Sequence, residues 1–290
     1  MTGPINIDPK TFLREHCTLP ALPEVLIRMQ VILDSDHIDI DDVAVLMRGD
    51  PALVGQILKM VNSAYYGLPR EVADVKYAVG FLGLNEIHRI MLSFAIADAF
   101  VSEHKEELKE LWFHSFHTAL CADYLIKKNR ALKHPPDCWS AALLHDVGKL
   151  VYLKFFPDHF IALKEYALKN GCLFSTAEVE LDLPTSAYLG TLLCDHWRLP
   201  LIVRDSCESH TLEMLYEAVQ DSSQPQISVL VSVSNLLSNL SAAVLSSPIK
   251  EDIASATMRT LNYDQTKFAG LMTVVEDLKI DAEKFMHQVT

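Results

Sequence analysis

Apolar residues recur every three or four positions along most of this chain, and no segment alternates apolar and polar residues as a half-buried strand would. After Asp50-Pro51, the side chains of Leu53, Ile57 and Val61 follow this spacing. They predict a helix with Asp50 as its N-cap and Pro51 in its first turn. The same pattern predicts an all-α fold, whose other helices open at Leu22-Pro23 or cover Val75–Leu82, Glu86–Phe100, Glu103–Lys128, Asp137–Leu153, Pro157–Asn170, Ser175–Leu183, 185–197, 200–209, 226–245, 250–261 and 265–288.

Three local signals mark helix ends within this pattern. Ser175 followed by Glu178 has the spacing of a capping box, and Gly171 is a candidate C-cap for the helix before it. Asn62-Ser63 closes an earlier apolar helix. The side chains of this pair either form a polar recognition corner or hydrogen-bond the neighbouring backbone, and we favour the second interpretation.

A change in composition marks the best candidate for a domain boundary. The apolar helix that ends near Val101 is followed by the charged segment SEHKEELKE. We therefore predict an N-terminal helical lobe over residues 1–105, and a second helical lobe with the C-terminal helices over residues 106–290. No Gly-, Ser- or Pro-rich spacer separates the two, which is compatible with a shared core.

The formal net charge of −13 at pH 7 narrows the classes of partner. Direct nucleic-acid binding relies on clustered Lys and Arg, and docking on anionic lipid needs a basic surface, so we expect neither. The basic residues Lys127, Lys128, Arg130 and Lys133 are better explained as a solvated helix end. The longest uncharged run, 222–249, is too rich in serine for a membrane span and predicts a buried helix.

The cysteines and the N-terminal residues both bear on the cellular compartment. The six cysteines are scattered, and none forms a C-x-x-C pair. The N-terminal sequence MTGPINIDPK has no apolar segment of the kind found in secretory signals. We therefore expect a cytoplasmic protein with free thiols.

His145 and Asp146 stand together in the apolar segment LLHDVGKL, where an ionisable pair is costly unless a metal, a partner or a hydrogen bond compensates it. His114 and His117 lie three residues apart, so both can face one side of the preceding helix. Helices that present such side chains to a common interior can build a metal centre, and imidazole with carboxylate suits iron, manganese or zinc. A buried hydrogen-bonded cluster without a metal is the alternative.

Five ordered segments carry a family resemblance: LPALPEV (19–25), DPALVGQILKMVNSAYYG (50–67), VKYAVGFLGLNEIHRIML (75–92), LWFHSFHTA (111–119) and AALLHDVGKL (141–150). They resemble the HDOD family, a regulatory branch related to the HD-domain metal-dependent phosphohydrolases, and the resemblance covers roughly residues 12 to 240. It implies an HD-domain-like helical bundle that carries an N-terminal helical lobe.

The resemblance also implies a set of metal ligands, of which this chain keeps a part. His114 aligns with the first ligand of the active HD enzymes, and His145 and Asp146 align with the signature pair. Ser186 stands where those enzymes have a histidine, and Asn235 stands where they have a late aspartate. A phosphohydrolase needs its metal to acidify a water, and a neutral hydroxyl and amide are poor ligands for that metal. We therefore favour a site without a cofactor, with a single residual divalent metal (iron, manganese or zinc) as the alternative.

Other side chains near these positions have secondary roles in the hypothesis. Lys149 is a candidate phosphate contact by analogy with active relatives, or else a partner of the adjacent carboxylate. His117, His196 and His210 are possible substitutes for the lost ligands. His210 follows a serine at a place where some relatives carry two histidines.

The function that the resemblance implies is regulatory. We predict a bacterial-type, catalytically degenerate HDOD signal-transduction protein that acts as an interaction module for other signalling proteins. One alternative is a metal-dependent phosphohydrolase that cleaves a nucleotide or cyclic-dinucleotide phosphodiester, with its metal on His114, His145 and Asp146. The other is a sensor that binds a nucleotide without turnover.

Overall fold

The computed structural model describes residues 24–33, 39–63, 66–68, 70–100, 102–128, 137–220 and 226–289. Within these ranges every regular element is an α-helix and no strand is present, so the predicted all-α fold is confirmed. The predicted helix opening at Leu22-Pro23 and the basic residues Arg130 and Lys133 lie outside the described residues. No helix in the described ranges combines the length and the apolarity that crossing a bilayer requires.

The chain divides into two compact units. Of the described residues, those between 24 and 100 and those from 281 to 289 belong to the first unit, and those between 102 and 280 belong to the second. The assignment of residues 1–105 and 106–290 to two separate lobes stays a prediction. The helices of the first unit are α1 (Glu24–Leu33), α2 (Ile40–Arg48), α3 (Pro51–Val61), α4 (Val75–Leu82) and α5 (Leu84–Ala99).

Aspartates begin three helices of the first unit. Asp50 accepts hydrogen bonds of 3.1 Å from the two backbone N–H groups that follow Pro51, so this predicted cap is confirmed. Asp39 and Asp74 cap α2 and α4 in the same way. The sequence pattern did not predict α2, because its nine residues bury three side chains, too short a repeat to stand out.

The Asn62 side chain ties the end of α3 to the segment before α4. Its Nδ2 donates to the carbonyl oxygens of Leu58 at 2.9 Å and Val72 at 2.8 Å. Its Oδ1 accepts from the Val72 N–H at 2.7 Å. These bonds agree with the interpretation of Asn62 as a group that satisfies neighbouring backbone, because all of its polar atoms are used in this way.

The second unit contains the remaining helices of the described chain. They are α6 (Lys105–Lys128), α7 (Asp137–Leu144), α8 (Val147–Phe155), α9 (Pro157–Asn170), α10 (Phe174–Glu180), α11 (Ser186–Trp197), α12 (Leu201–Glu208), α13 (Leu212–Gln220), α14 (Gln226–Ala242), α15 (Ser247–Leu261) and α16 (Gln265–Val289), the last of which belongs to the first unit from Asp281 on. Of these, α13 was not predicted from the sequence, and most of the others lie within a few residues of their predicted bounds.

The prediction of one helix over Asp137–Leu153 is wrong, because the chain breaks at His145 and Asp146 into α7 and α8. Asp146 has φ −103° and ψ 16°, outside the helical range. The Nδ1 of His145 hydrogen-bonds the carbonyl of Ala142 at 2.7 Å. The imidazole thereby satisfies a carbonyl that the end of α7 leaves without an intrahelical partner.

The predicted capping box of Ser175 and Glu178 is also wrong. Helix α10 begins at Phe174, and its N-cap makes no side-chain hydrogen bond. Glu178 instead accepts a hydrogen bond of 2.8 Å from the backbone N–H of Ser186, so its carboxylate is engaged away from the start of its own helix. The predicted C-cap is confirmed, since Gly171 has φ 60°, in the left-handed region that favours glycine.

Helix α14 lies in the core of the second unit, and residues 231–238 are all buried. Val233 and Leu237 pack in one apolar cluster with Leu125 of α6. Ser232 and Ser234 donate to carbonyl oxygens four residues earlier at 2.8 and 2.7 Å, so the helix satisfies its own hydroxyl groups. The buried helix predicted within the uncharged run 222–249 is confirmed over Gln226–Ala242, and a new helix begins at Ser247.

Candidate metal centre

The carboxylate of Asp146 lies at the centre of a group of buried polar side chains. Asp146 is 3% exposed, and the Nζ of Lys149 lies 2.6 Å from its Oδ2. Burial would raise the pKa of this carboxyl, but above all the Lys149 ammonium holds the pKa well below its usual range. Asp146 is therefore ionised, and Lys149 balances its charge.

Residue 148 is a glycine because α8 approaches α11 very closely at this point. A Cβ on Gly148 would lie 1.8 Å from the Ser186 carbonyl oxygen and 2.6 Å from the backbone nitrogen of Gly190. Any larger residue would separate the two helices. The contact holds the turn that carries His145 and Asp146 against the first turn of α11.

One ring nitrogen of His145 is fixed and the other faces Asp146. Its Nδ1 lies 2.7 Å from the Ala142 carbonyl oxygen, which only accepts, so Nδ1 carries a proton. Its Nε2 lies 3.4 Å from the Asp146 Oδ2 and makes no hydrogen bond, although the residue is 1% exposed. A buried ring nitrogen thus lies beside a buried carboxylate.

His210 repeats this arrangement from the segment between α12 and α13. Its Nδ1 lies 2.7 Å from the Cys207 carbonyl oxygen, and its Nε2 lies 3.0 Å from the Asp146 Oδ1. The Oδ1 nevertheless has no hydrogen-bond partner, because the two groups are not aligned for one. His210 was one of three possible substitutes for a lost ligand, and the structure places it beside Asp146.

His114 comes to the same carboxylate from α6. Its Nε2 lies 2.9 Å from the Asn235 Oδ1 and 3.3 Å from the Asp146 Oδ2. Burial lowers the pKa of His114 to about 4 despite the nearby carboxylate, so the ring is neutral. The candidate ligating atoms of His114, His145 and Asp146 lie within 4.8 Å of one another, so this group could hold a metal ion.

Asn235, at the position of the late aspartate, is held by hydrogen bonds on both ends of its amide. Its Nδ2 donates to the His210 carbonyl oxygen at 2.8 Å, which turns its Oδ1 toward His114. Because Oδ1 only accepts, the Nε2 of His114 carries the ring proton in this arrangement. Ser238 and Asn239 complete the network, with contacts of 3.1 Å to His114 and 2.9 Å to Asn235. Sequence reasoning did not single them out, although their i+3 and i+4 spacing from Asn235 was an available signal.

Ser186, at the position of a lost histidine, is used by Glu178. Both its N–H, at 2.8 Å, and its hydroxyl hydrogen-bond the Glu178 carboxylate. Glu178 is 1% exposed, and burial raises its pKa to about 7 in spite of these bonds. Sequence reasoning treated Glu178 as a capping residue and missed it as a buried titratable group near the site.

The other two possible substitutes lie away from Asp146. His117 has its Nδ1 2.9 Å from the Ser238 Oγ and its Nε2 2.9 Å from the Val275 carbonyl oxygen, so both nitrogens are engaged elsewhere. His196 is exposed on α11. Of the three candidates, the structure brings His210 alone to the carboxylate.

The donor groups fit a transition-metal ion. The Nε2 of His145 and the Oδ1 of Asp146 are buried polar atoms without hydrogen-bond partners, an arrangement that is rare in protein interiors unless a cation or water is bound. Histidines whose second nitrogen donates to a backbone carbonyl are typical metal ligands. Imidazole and carboxylate together suit iron, manganese or zinc.

The order of these helices and side chains corresponds to one protein family. Residues 19–212, more than half of the chain, match the model of the HDOD domain. The chain belongs to the HDOD family. The expected HD-like helical bundle with HDOD architecture is thereby confirmed as its fold.

Relatives of this HDOD chain differ in what they are described as doing. An uncharacterized protein of Treponema pallidum (strain Nichols) is 27% identical over 192 residues, which are 66% of this chain and 37% of that protein. A candidate phosphohydrolase from Shewanella amazonensis SB2B has a TM-score of 0.72 and 17% identity, over 97% of this chain and 98% of its own. A candidate signal transduction protein from Marinobacter aquaeolei VT8 has a TM-score of 0.74 and 19% identity, over 93% of this chain and 60% of its own. At these identities the two structures show a shared fold.

Proposed function

We propose that this HDOD protein is a regulatory module of signal transduction that acts through other signalling proteins and does not hydrolyse phosphate esters. One observation carries the proposal. At the two positions where active HD enzymes place metal ligands, Ser186 and Asn235 make structural hydrogen bonds instead, to Glu178 and to the His210 backbone. The fold shared with a candidate signal transduction protein supports the regulatory role.

The Asn235 side chain is poorly suited to a catalytic metal. Its one acceptor atom, Oδ1, is neutral and already accepts from His114 at 2.9 Å and from Asn239 at 2.9 Å. An aspartate at this position would add a negative charge, which a hydrolytic metal centre needs in order to hold its ion during phosphoryl transfer.

Lys149 further reduces the attraction of this site for a cation. Its ammonium lies 2.6 Å from the Asp146 Oδ2 and 5.1 Å from the centroid of the Phe174 ring. The ion pair leaves the Asp146 carboxylate and Lys149 with no net charge together. Lys149, the candidate phosphate contact, is therefore engaged in an ion pair with Asp146 in this arrangement.

The test is a turnover assay on the full chain loaded separately with Fe²⁺, Mn²⁺ or Zn²⁺. We expect release of p-nitrophenol from bis(p-nitrophenyl) phosphate to stay at the rate of the metal alone. The combined variant Ser186→His with Asn235→Asp is the matched comparison, and it should bind metal more tightly than the parent. Metal-dependent turnover by the parent that Asp146→Asn abolishes would overturn the proposal.

A metal-dependent phosphohydrolase is the second candidate, because the Nε2 of His145 and the Oδ1 of Asp146 are buried without hydrogen-bond partners. His114, His145 and Asp146 would hold the ion, which would supply a Lewis acid that acidifies a bound water. Turnover in the assay above favours this candidate. Heat on titration with nucleotides, in the absence of turnover, would instead indicate a sensor that binds without cleaving.

A further inference from the structure

We propose that Cys194 and Cys207 form a site of oxidative modification, at which a hydroperoxide converts the two thiols into a disulfide between α11 and α12. Their sulfur atoms lie 3.5 Å apart, within hydrogen-bonding distance for sulfur. Both cysteines are free thiols in the interior, at 1% and 0% exposure. The proposal goes beyond the regulatory role proposed above and does not depend on it, since the disulfide is detected as a covalent product.

The packing of α11 against α12 brings the two sulfurs together. Gly190, one turn before Cys194, lets the helices approach, because a Cβ on it would lie only 3.3 Å from the Cβ of Cys207. The two sulfurs come from positions 13 residues apart in the chain. A disulfide has an S–S distance of about 2.05 Å, so the sulfurs need to approach by about 1.5 Å.

A chain of hydrogen bonds connects the thiol pair to the turn between α7 and α8. The Cys207 thiol donates to the carbonyl oxygen of Leu144 at 3.1 Å. Because a thiol has one proton, the contact between the two sulfurs is then donated by Cys194. Leu144 is the last residue of α7 and directly precedes His145. The carbonyl oxygen of Cys207 in turn accepts from the Nδ1 of His210 at 2.7 Å.

The packed pair is protected against oxidants. The hydrogen bond with Cys194 and burial raise the pKa of the Cys207 thiol well above its usual value, and the thiolate is the form that reacts. Helix α12 has eight residues, its N-cap Pro200 makes no side-chain hydrogen bond, and Leu201 in its first turn is 67% exposed. A short helix with so weak a start favours local opening, which exposes Cys207. We therefore expect slow oxidation, which urea below the unfolding transition accelerates.

The reaction balances with the hydroperoxide as oxidant. The Cys207 sulfur attacks the O–O bond and becomes a sulfenic acid, and the peroxide leaves as an alcohol, or as water when it is hydrogen peroxide. The Cys194 sulfur then attacks the sulfenic sulfur, forms the S–S bond and releases water. The two thiols lose two electrons and two protons in total, and the peroxide oxygens take up both.

Oxidation changes the contacts of the turn. In the disulfide the Cys207 sulfur has no proton, so the Leu144 carbonyl oxygen loses this donor at the end of α7, where carbonyl groups lack intrahelical partners. The shift of Cys207 toward Cys194 also moves the carbonyl that holds His210. The oxidation state of the pair therefore affects the arrangement around Asp146, and a dithiol reductant restores it.

The test exposes the reduced full chain to millimolar hydrogen peroxide in native buffer, followed by intact-mass measurement and peptide mapping without reduction. We expect a product lighter by two hydrogen atoms, with Cys194 and Cys207 in linked peptides and the parent mass restored by dithiothreitol. Cys194→Ser should not form this product. Cys172→Ser is the matched control, because it removes a more exposed thiol and should leave the product unchanged.

The histidine ring signals in NMR spectra give a second readout that oxidation elsewhere would not imitate. We expect the signals of His145 and His210 to shift when the parent chain is oxidised. They should stay in place when Cys194→Ser is treated in the same way.

Three results would overturn this proposal: thiols of the native chain that resist peroxide while those of the unfolded chain react, a disulfide that links other cysteines, or sulfinic and sulfonic acids formed at Cys194 or Cys207 in place of the disulfide. Unchanged histidine signals in the oxidised parent would overturn the connection to the turn. None of these results bears on hydrolysis, because the p-nitrophenol assay measures turnover independently.

Discussion

His145 and His210 lie beside the turn between α7 and α8. In each, Nδ1 hydrogen-bonds a backbone carbonyl oxygen and Nε2 lies within 3.4 Å of an Asp146 carboxylate oxygen. His114 and His117, on α6, each have both ring nitrogens within 3.1 Å of a hydrogen-bonding group, and they share Ser238. All four rings are wholly or largely buried. The difference teaches that burial and residue type do not distinguish the histidines beside Asp146 from the structural histidines of α6. The partner of the second nitrogen does.

We expect the largest loss of stability from a change at Asp146, the charged group beside His145 and His210. Asp146→Asn leaves Lys149, whose side chain is 13% exposed, without its counter-charge. We expect the free energy of unfolding to fall by about 3–5 kcal/mol, measured by urea denaturation. Asp195→Asn is the control, since Asp195 pairs with Arg204 at 3.0 Å while 58% exposed and should cost less than about 1 kcal/mol. Equal losses in the two variants would contradict a buried ionic site at the turn.

Glu178 gives the turn side a pH dependence opposite in sign to that of His114, whose pKa is lowered to about 4. The Glu178 pKa of about 7 lies above the unfolded value of 4.5, so the folded chain keeps a proton that the unfolded chain has lost between these values. Stability contributed by this group is therefore present below pH 4.5 and lost as the pH rises to about 7.

Glu178→Gln should remove this loss. We expect urea denaturation at pH 8 to show the variant more stable than the parent by up to about 3 kcal/mol, with a much smaller difference at pH 5. A glutamine can still accept the hydrogen bond from the Ser186 N–H, which keeps the comparison matched. A difference that is the same at both pH values would show that Glu178 titrates normally.

On the α6 side of the comparison, we expect His117 to matter for stability and not for metal binding. His117→Ala removes contacts of 2.9 Å to Ser238 and to the Val275 carbonyl and opens a cavity. We expect the free energy of unfolding, measured by urea denaturation, to fall by about 2–3 kcal/mol, because buried polar groups lose their partner. Any affinity for Zn²⁺ should stay within a factor of about three of the parent value, because both ring nitrogens of His117 are engaged away from Asp146. Loss of a hydrogen bond to a metal ligand would change the affinity by about tenfold or more. A large drop in affinity would place His117 in the metal site after all.

The smallest effect tests how the turn is held. Gly148→Ala would place a Cβ 1.8 Å from the Ser186 carbonyl oxygen. We therefore expect the free energy of unfolding, measured by thermal unfolding, to fall by roughly 1–3 kcal/mol. Gly80→Ala is the control, because nothing lies within 4 Å of the added carbon on α4. That change should stabilise the chain by about 0.5–1 kcal/mol through helix propensity. Losses in both variants would mean that the close approach of α8 and α11 is not what requires glycine.

The sequence predicted the fold well because helix periodicity and caps are local. Asp50, for example, is recognisable as an N-cap from its neighbours alone. The sequence prediction failed where a side chain bonds a group outside its local pattern. Glu178 has capping-box spacing, but its carboxylate accepts a hydrogen bond from Ser186, eight residues away. The break at His145 was hidden because an apolar pattern continues through the turn on both sides.

The candidate site could be predicted only in part. Adjacency in LLHDVGKL pointed to His145 and Asp146, and helical spacing pointed to His114. His210 entered through the family resemblance as one of several substitutes. Spacing gives the face of a helix on which a side chain lies, but it does not give the distance between helices or which ring nitrogen has a partner. Those two quantities separate His210 from His117.

Burial of the Asp146 carboxylate has a consequence for ionic strength. Dissolved ions screen charges that they can approach, over a distance of about 8 Å at physiological salt. They can surround Arg204 and its carboxylate partners, which are between 27% and 58% exposed, but not an aspartate whose side chain is 1% exposed. The pair of Asp146 and Lys149 should therefore keep its strength from dilute buffer to high salt, so the charge balance at the turn is set by the chain and not by its surroundings.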